Sequence, residues 1–304
     1  MPTAVSNVVK ERTGVSVRMP DPNDPVEKEF RKLEAEDDAA VEKIEKWSDE
    51  AGAASLKGSN EAQITLHTRA KERLALVKKD YEEFIRQHPD YVRGRLAFGS
   101  FLHQSGDSEG ALAQWEKASQ LAPDNPAVWN NLADYYEESN VKKAFEYYSK
   151  AIELDPSQSV YYQNLAACVY MSRDEAQEYW KISQQEVFDK SLELYRKAMK
   201  LDPENFILAS EYAGTFYGVR PLRLEDALAA WNQCLKIAHD EMEREGVYIH
   251  LARIQLQLNH FAESQHALDA VTNKMYFGLK DKIARNLAEA IQHVQTGAPP
   301  QPVR

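Results

Sequence analysis

Four segments of this chain share one spacing, and that spacing restricts what it can fold into more than anything else in it. A small residue is followed by an aromatic four positions on and by a second small residue three further. The segments are EGALAQWEKASQLAPDN (109–125), KKAFEYYSKAIELDPSQ (142–158), DKSLELYRKAMKLDPEN (189–205) and EDALAAWNQCLKIAHDE (225–241). The triplets are Ala111, Trp115 and Ala118; Ala144, Tyr148 and Ala151; Ser191, Tyr195 and Ala198; Ala227, Trp231 and Cys234. A four-then-three step places all three on one helical face. The small residues let a neighbouring helix come close, and the aromatic fills the space beside them. Three segments end in Pro123, Pro156 and Pro203. Proline lacks the N–H that a continuing helix needs, so each marks an exit and the approach to a new helix.

A second helical pattern follows each proline: AVWNNLADYY (127–136), VYYQNLAACVY (160–170) and ILASEYAGTFY (207–217), with GRLAFGSFL (94–102) after Pro89. A large apolar residue followed by Gly or Ala recurs in them, as in Phe98–Gly99, Leu132–Ala133, Leu165–Ala166, Tyr212–Ala213 and Leu251–Ala252. From Pro89 to Pro123 is 34 residues, and from Pro123 to Pro156 is 33. Pro156 to Pro203 is 47, and Pro203 to His239, which stands where a fifth proline is expected, is 36. Trp129, Leu132, Ala133, Tyr136, Ala144, Tyr148, Ala151 and Pro156 resemble the repeat of the tetratricopeptide (TPR) family almost position by position. The resemblance covers about residues 90–275. It implies an all-α, TPR-type right-handed α-solenoid of about five helix pairs, with an extra N-terminal helix and a C-terminal capping helix. The departures are 13 additional residues in the third repeat, a longer turn at 218–225 in the fourth, and a degenerate fifth.

Outside the repeats, residues 1–23 and 296–304 read as disordered. Residues 24–50 read as an amphipathic helix with Asp24 as N-cap and Glu27 completing a capping box. Its Phe30, Leu33, Ala40, Ile44 and Trp47 keep heptad-like spacing, interrupted by Asp37. Such a helix covers the first repeat or, alternatively, pairs with a second copy to make a homo-oligomer. Residues 51–59 read as a linker, and 60–295 as the repeat array with its capping helix. Asn60 and Gln63 suit a capping box at the start of the array, where 60–88 is either one long helix or a pair with a poor turn. Tyr276, Leu279, Ile283, Leu287, Ile291 and Val294 form one apolar stripe for the terminal helix, since the last repeat needs a cover. In the insertion, Ser172 and Glu175 suit a capping box. The pattern then runs to Lys200 without a breaker. This predicts a second helix that starts early and projects with Tyr179, Trp180 and Ile182, packed on its partner helix or offered for docking.

Composition excludes several functions. A net charge of −11 leaves no broad basic face, so no nucleic-acid partner is expected. No run approaches the roughly 18 apolar residues of a membrane span. The two cysteines, Cys168 and Cys234, lie inside apolar patterns and imply no disulfide framework. The expected location is cytoplasmic, or exported had a signal peptide been removed. No Walker loop, GxSxG, HExxH or paired CxxC occurs, so no catalytic residue, metal or cofactor is assigned.

The resemblance implies instead a groove, lined by the first helix of each pair, that holds a protein or an extended peptide. The positions just before the large apolar residue are Ala97, Asn131, Asn164, Glu211 and His250. In TPR proteins that bind extended peptides an asparagine here contacts the peptide backbone, which an amide can do without reading sequence. Asn130, Asp134, Gln163, His103, Tyr170 and Tyr217 are expected to share that surface, with Trp180 as a further candidate on the insertion. Co-chaperones of the family clamp a chaperone's terminal carboxylate with Lys, Asn and Arg. Here Leu96 and Ser100, then Val160 and Asn164, occupy the flanking positions. Shifting the register by one repeat gives Asn130 and Asp134, then Ile207 and Glu211. Neither supplies cations, so no such tail is expected to bind.

Overall fold

The computed structural model describes residues 21, 23–55 and 61–296, which are helical with no strand among them. The chain divides into two units, residues 1–161 and 162–304, within the segment that the sequence reading treats as one array. The termini and residues 56–60 lie outside the described residues. So does the Asn60 end of the box drawn to Gln63.

In the first unit, α1 (Pro25–Ser55) packs along α2 (Glu61–Gln87), a single unbroken helix. Asp24 caps α1 by accepting the Val26 N–H at 2.9 Å. Helix α1 runs on to Ser55, so residues 51–55 are helical rather than linker. Phe30, Leu33 and Ala40 are buried with Val77, Tyr81 and Phe84 of α2, so the apolar stripe of α1 covers its own neighbour. Two acidic residues behave otherwise than expected. Glu27 makes no capping box. It is buried and accepts from Tyr91 and Arg93, each at 2.6 Å, and from Arg31 at 2.8 Å. Burial pushes its carboxyl up, but those three donors outweigh it and leave Glu27 below the usual carboxylate range. Asp37, the apparent interruption, is buried and accepts the Tyr81 hydroxyl at 2.9 Å.

Two helix pairs follow, α3 (Val92–Gln104) with α4 (Ser108–Leu121) and α5 (Pro126–Ser139) with α6 (Val141–Leu154). Their small–aromatic–small triplets are fully buried. Trp115 sits so close to α3 that a Cβ on Gly99 would run into its indole, and its Nε1–H donates to the Leu96 carbonyl at 3.3 Å. Asp107, Asn125 and Asn140 cap the helices that follow them, and Pro126 occupies the first helical turn.

The second unit holds most of α7 (Ser159–Met171), then α8 (Arg173–Trp180), α9 (Gln184–Leu201), α10 (Phe206–Thr215), α11 (Leu224–Ile237), α12 (Glu241–Gln257), α13 (Phe261–Asp269), a 3-10 turn (Lys274–Tyr276) and α14 (Phe277–Thr296). The pairs are α7 with α9, α10 with α11, and α12 with α13. In two of them a serine replaces the first small residue and ties the pair together. Ser191 donates to the Ala166 carbonyl and Ser264 to that of Ala252, each at 2.8 Å. The insertion does not extend α9. It forms the separate helix α8, ended by Lys181 in the left-handed region at φ 54°. Ser172 makes no side-chain cap there, and the capping box is Ser183 with Glu186, three residues into α9. On α14 only part of the expected stripe is covered. Ile283 and Leu287 are buried, while Leu279 and Val294 are exposed. Glu245, also buried, accepts the Thr272 and Asn273 N–H groups at 2.9 and 2.6 Å and so fixes the turn leading to α14.

Candidate functional site

Side chains that bridge neighbouring first helices define a face in each unit. In the first unit the helices are α3 and α5. His103 Nε2 on α3 lies 3.5 Å from the Asp134 carboxylate on α5. Its ring rests 5.6 Å from the Trp115 indole, and its buried Nδ1 has no hydrogen-bond partner among the described residues. Burial raises the Asp134 carboxyl, and His103 partly offsets this. Asn131 stands one turn before Asp134 on α5. It is only 6% exposed, and its Nδ2 has no hydrogen-bond partner among the described residues. An amide N–H₂ carries two donors, and leaving it unpaired in the interior is unfavourable unless something else accepts. Asn130 beside it is buried as well.

In the second unit the first helices are α7, α10 and α12. Gln163 on α7 donates to Glu211 on α10 at 3.0 Å. Asn164, half-buried, is next to Gln163 on the same helix. The hydroxyl of Tyr170 lies against Gly218, and its ring is 6.3 Å from Phe188. After α10 the hydroxyl of Tyr217 is 2.7 Å from His250 Nδ1 on α12. The His250 ring stacks on the Trp231 indole, 3.9 Å between centroids and 4° from parallel. Burial, helped by the charge of Arg253, lowers the His250 pKa to about 4. The imidazole is therefore neutral near pH 7, and its Nδ1 shares one hydrogen bond with the Tyr217 hydroxyl. The guanidinium of Arg253 lies 4.6 Å from the Tyr217 ring.

Of the residues singled out in sequence, His103 and Asp134 come together in the first unit, with Asn131 one turn before Asp134. Gln163 and Glu211 come together in the second, as does Tyr217 with His250. Trp180 joins none of these groups. It is half-buried at the end of α8, 4.9 Å from Tyr179, with Lys190 of α9 4.4 Å over its ring. Sequence reasoning passed over Arg253. It sits three residues after His250, the i+3 step that keeps two side chains on one helix face. That spacing was the available signal.

These two units, built of helix pairs that bury small–aromatic–small triplets, define a helical-repeat protein whose first helices carry the polar side chains. A "TPR repeat" family model matches residues 99–139 and a "Tetratricopeptide repeat" model residues 126–158. Residues 99–158 therefore carry tetratricopeptide repeats. No curated protein matches its sequence. Among solved structures it is similar to PilW, described as a type IV pilus biogenesis factor, at 14% identity and a TM-score of 0.52 over 68% of this chain and 88% of that one. It is similar also to pilF of Pseudomonas aeruginosa, at 16% identity and a TM-score of 0.50 over 72% of this chain and 90% of that one. At such identities the likeness concerns the fold.

Proposed function

We propose that the chain is a protein-interaction scaffold that grips an extended peptide segment through its first helices, with Asn131 as the backbone-reading residue of the first unit. The observation that carries this reading is the buried, unpaired Nδ2 of Asn131. A core position occupied for stability alone favours an apolar residue, because an unsatisfied buried donor costs about 1–3 kcal/mol. An amide kept there at that cost is explained by an acceptor that arrives from outside, such as a peptide carbonyl. Asn130 precedes it on α5, and Asp134, 3.5 Å from His103, follows one turn on, so further donors and acceptors lie along the same helix. The same reading gives Gln163, Asn164, Glu211, Tyr170 and Tyr217 to the face of the second unit. Self-association through α1 is the alternative, and it needs a surface other than Phe30, Leu33 and Ala40, which α2 already covers.

The test replaces Asn131 by leucine, which has the same branching and number of heavy atoms but is apolar. Asn131→Leu is expected to raise the stability of the free protein by about 1–3 kcal/mol in urea unfolding. It is also expected to abolish binding of peptides selected on the wild-type protein from a randomised phage-displayed library. A variant that loses stability, or that binds those peptides as the wild type does, removes Asn131 from this role.

A further inference from the structure

Most arginines of the second unit are engaged within the protein. Arg223 pairs with Asp189 and Asp226, Arg244 with Glu241, and Arg220 donates to the Tyr217 and Val219 carbonyls. Arg253 is different. It is exposed on α12, and its contact is with the face of the Tyr217 ring, with no carboxylate paired to it among the described residues. This happens in a chain with 48 acidic residues against 37 basic ones, where a carboxylate partner is easily supplied. Beneath Arg253 the supporting side chains are in contact with one another. Tyr217 is held by His250, and His250 is held by its stack on Trp231. His250 is neutral, so the positive charge of this cluster is that of Arg253.

The surface beside it is open. The Tyr217 N–H donates to the Gly214 carbonyl at 3.1 Å, which places the two residues one turn apart on the same side. A Cβ built on Gly214 meets nothing within 4 Å. Glycine inside a helix is unfavourable relative to alanine, and no packing constraint explains its presence there. It leaves the α10 backbone approachable next to a cation and an aromatic ring.

We propose that this face of the second unit is a subsite for an acidic side chain, Asp or Glu, of a bound extended segment. Arg253 is its cation, and Gly214 is the opening through which the segment approaches. The guanidinium fork suits a carboxylate, and the ring beneath it fixes its orientation. The inference rests on the peptide-binding reading given above and adds to it the chemistry of one recognised residue.

The experiment pans a randomised peptide library displayed on phage against the full-length protein, against Arg253→Glu and against Gly214→Leu. Displayed peptides joined to the coat protein have no free C-terminal carboxylate, so any acid selected is a side chain. The wild type is expected to enrich an acidic residue at a fixed position. Arg253→Glu is expected to enrich Lys or Arg at that position, because the charge is reversed and the rest of the face is unchanged. Gly214→Leu is expected to weaken the selected peptides by about tenfold or more while its thermal stability is equal to or above that of the wild type. An identical consensus from the wild type and Arg253→Glu overturns the proposal, as does full binding by Gly214→Leu. Peptides that depend on Asn131 but ignore Arg253 overturn this subsite and leave the wider reading standing. A wild-type protein that selects no consensus removes both.

Discussion

Helices α1 and α8 are both additions to the repeat, and they are held in opposite ways. Helix α1 is anchored over its first half. Phe30 lies 5.5 Å from Phe84 and 5.3 Å from Tyr91, Glu27 and Glu34 meet Arg93, and Asp37 meets Tyr81. Helix α8 has Ala176 as its one buried residue, an N-cap whose side chain does not cap, and a left-handed lysine at its end. An added helix with a deep polar and aromatic anchor becomes part of the core it covers. An added helix that buries one small residue and meets its neighbour through a half-buried ring stays nearer the surface.

The contrast breaks first at Arg93. Arg93→Ala leaves the Glu27 carboxylate, 1% exposed, without its closest cation. A loss of about 3–5 kcal/mol in urea unfolding is expected, and a loss below about 1 kcal/mol would mean that α1 is held by its apolar stripe alone.

Glu34 sharpens the same anchor through pH. Burial raises its carboxyl from 4.5 to about 7, against the pull of Arg93. A carboxyl raised in the folded state contributes stability that is fully present below its unfolded pKa and lost as pH rises through about 7. Glu34→Gln is therefore expected to change little at pH 5 and to gain about 1–3 kcal/mol at pH 8, read from thermal melts at both values.

The effects on α8 are smaller. Trp180→Ala removes a half-buried ring and is expected to cost about 1–2 kcal/mol, below the roughly 3–5 kcal/mol of a fully buried one. An unchanged melting temperature together with loss of selected peptides would move Trp180 from packing to docking. Lys181→Gly relieves the left-handed backbone at φ 54° and is expected to gain about 1 kcal/mol or less. A loss instead would show that the lysine side chain holds the turn.

The two helices were also unequally legible. The apolar spacing of Phe30, Leu33 and Ala40 marked the buried face of α1, because steps of three and seven return to one helix face and are a local signal. The insertion offered the same Ser-x-x-Glu signature twice, at Ser172–Glu175 and at Ser183–Glu186. The structure uses the second, because Lys181 turns left-handed before it. Lysine carries no local preference for that region, so nothing in the segment announced the break. For the candidate sites, position before the large apolar residue was readable, which led to Asn131, Glu211 and His250. Whether such a residue is left unpaired depends on its neighbours across the first helices, and these cannot be counted along the chain.

Helix phase, repeat period and the buried triplets therefore belong to the sequence alone, because they arise from contacts between residues three or four apart and from prolines at regular intervals. The partners of the polar groups belong to the tertiary structure. Glu27 resembled a cap and Asp37 a flaw in a stripe, until Arg93 and Tyr81 were brought opposite them from 66 and 44 residues away. Arg253, which no pattern along the chain marks, is set over Tyr217 by the fold, with no carboxylate paired to it among the described residues. Burial and pairing are properties of the space around a side chain, and only packing creates that space.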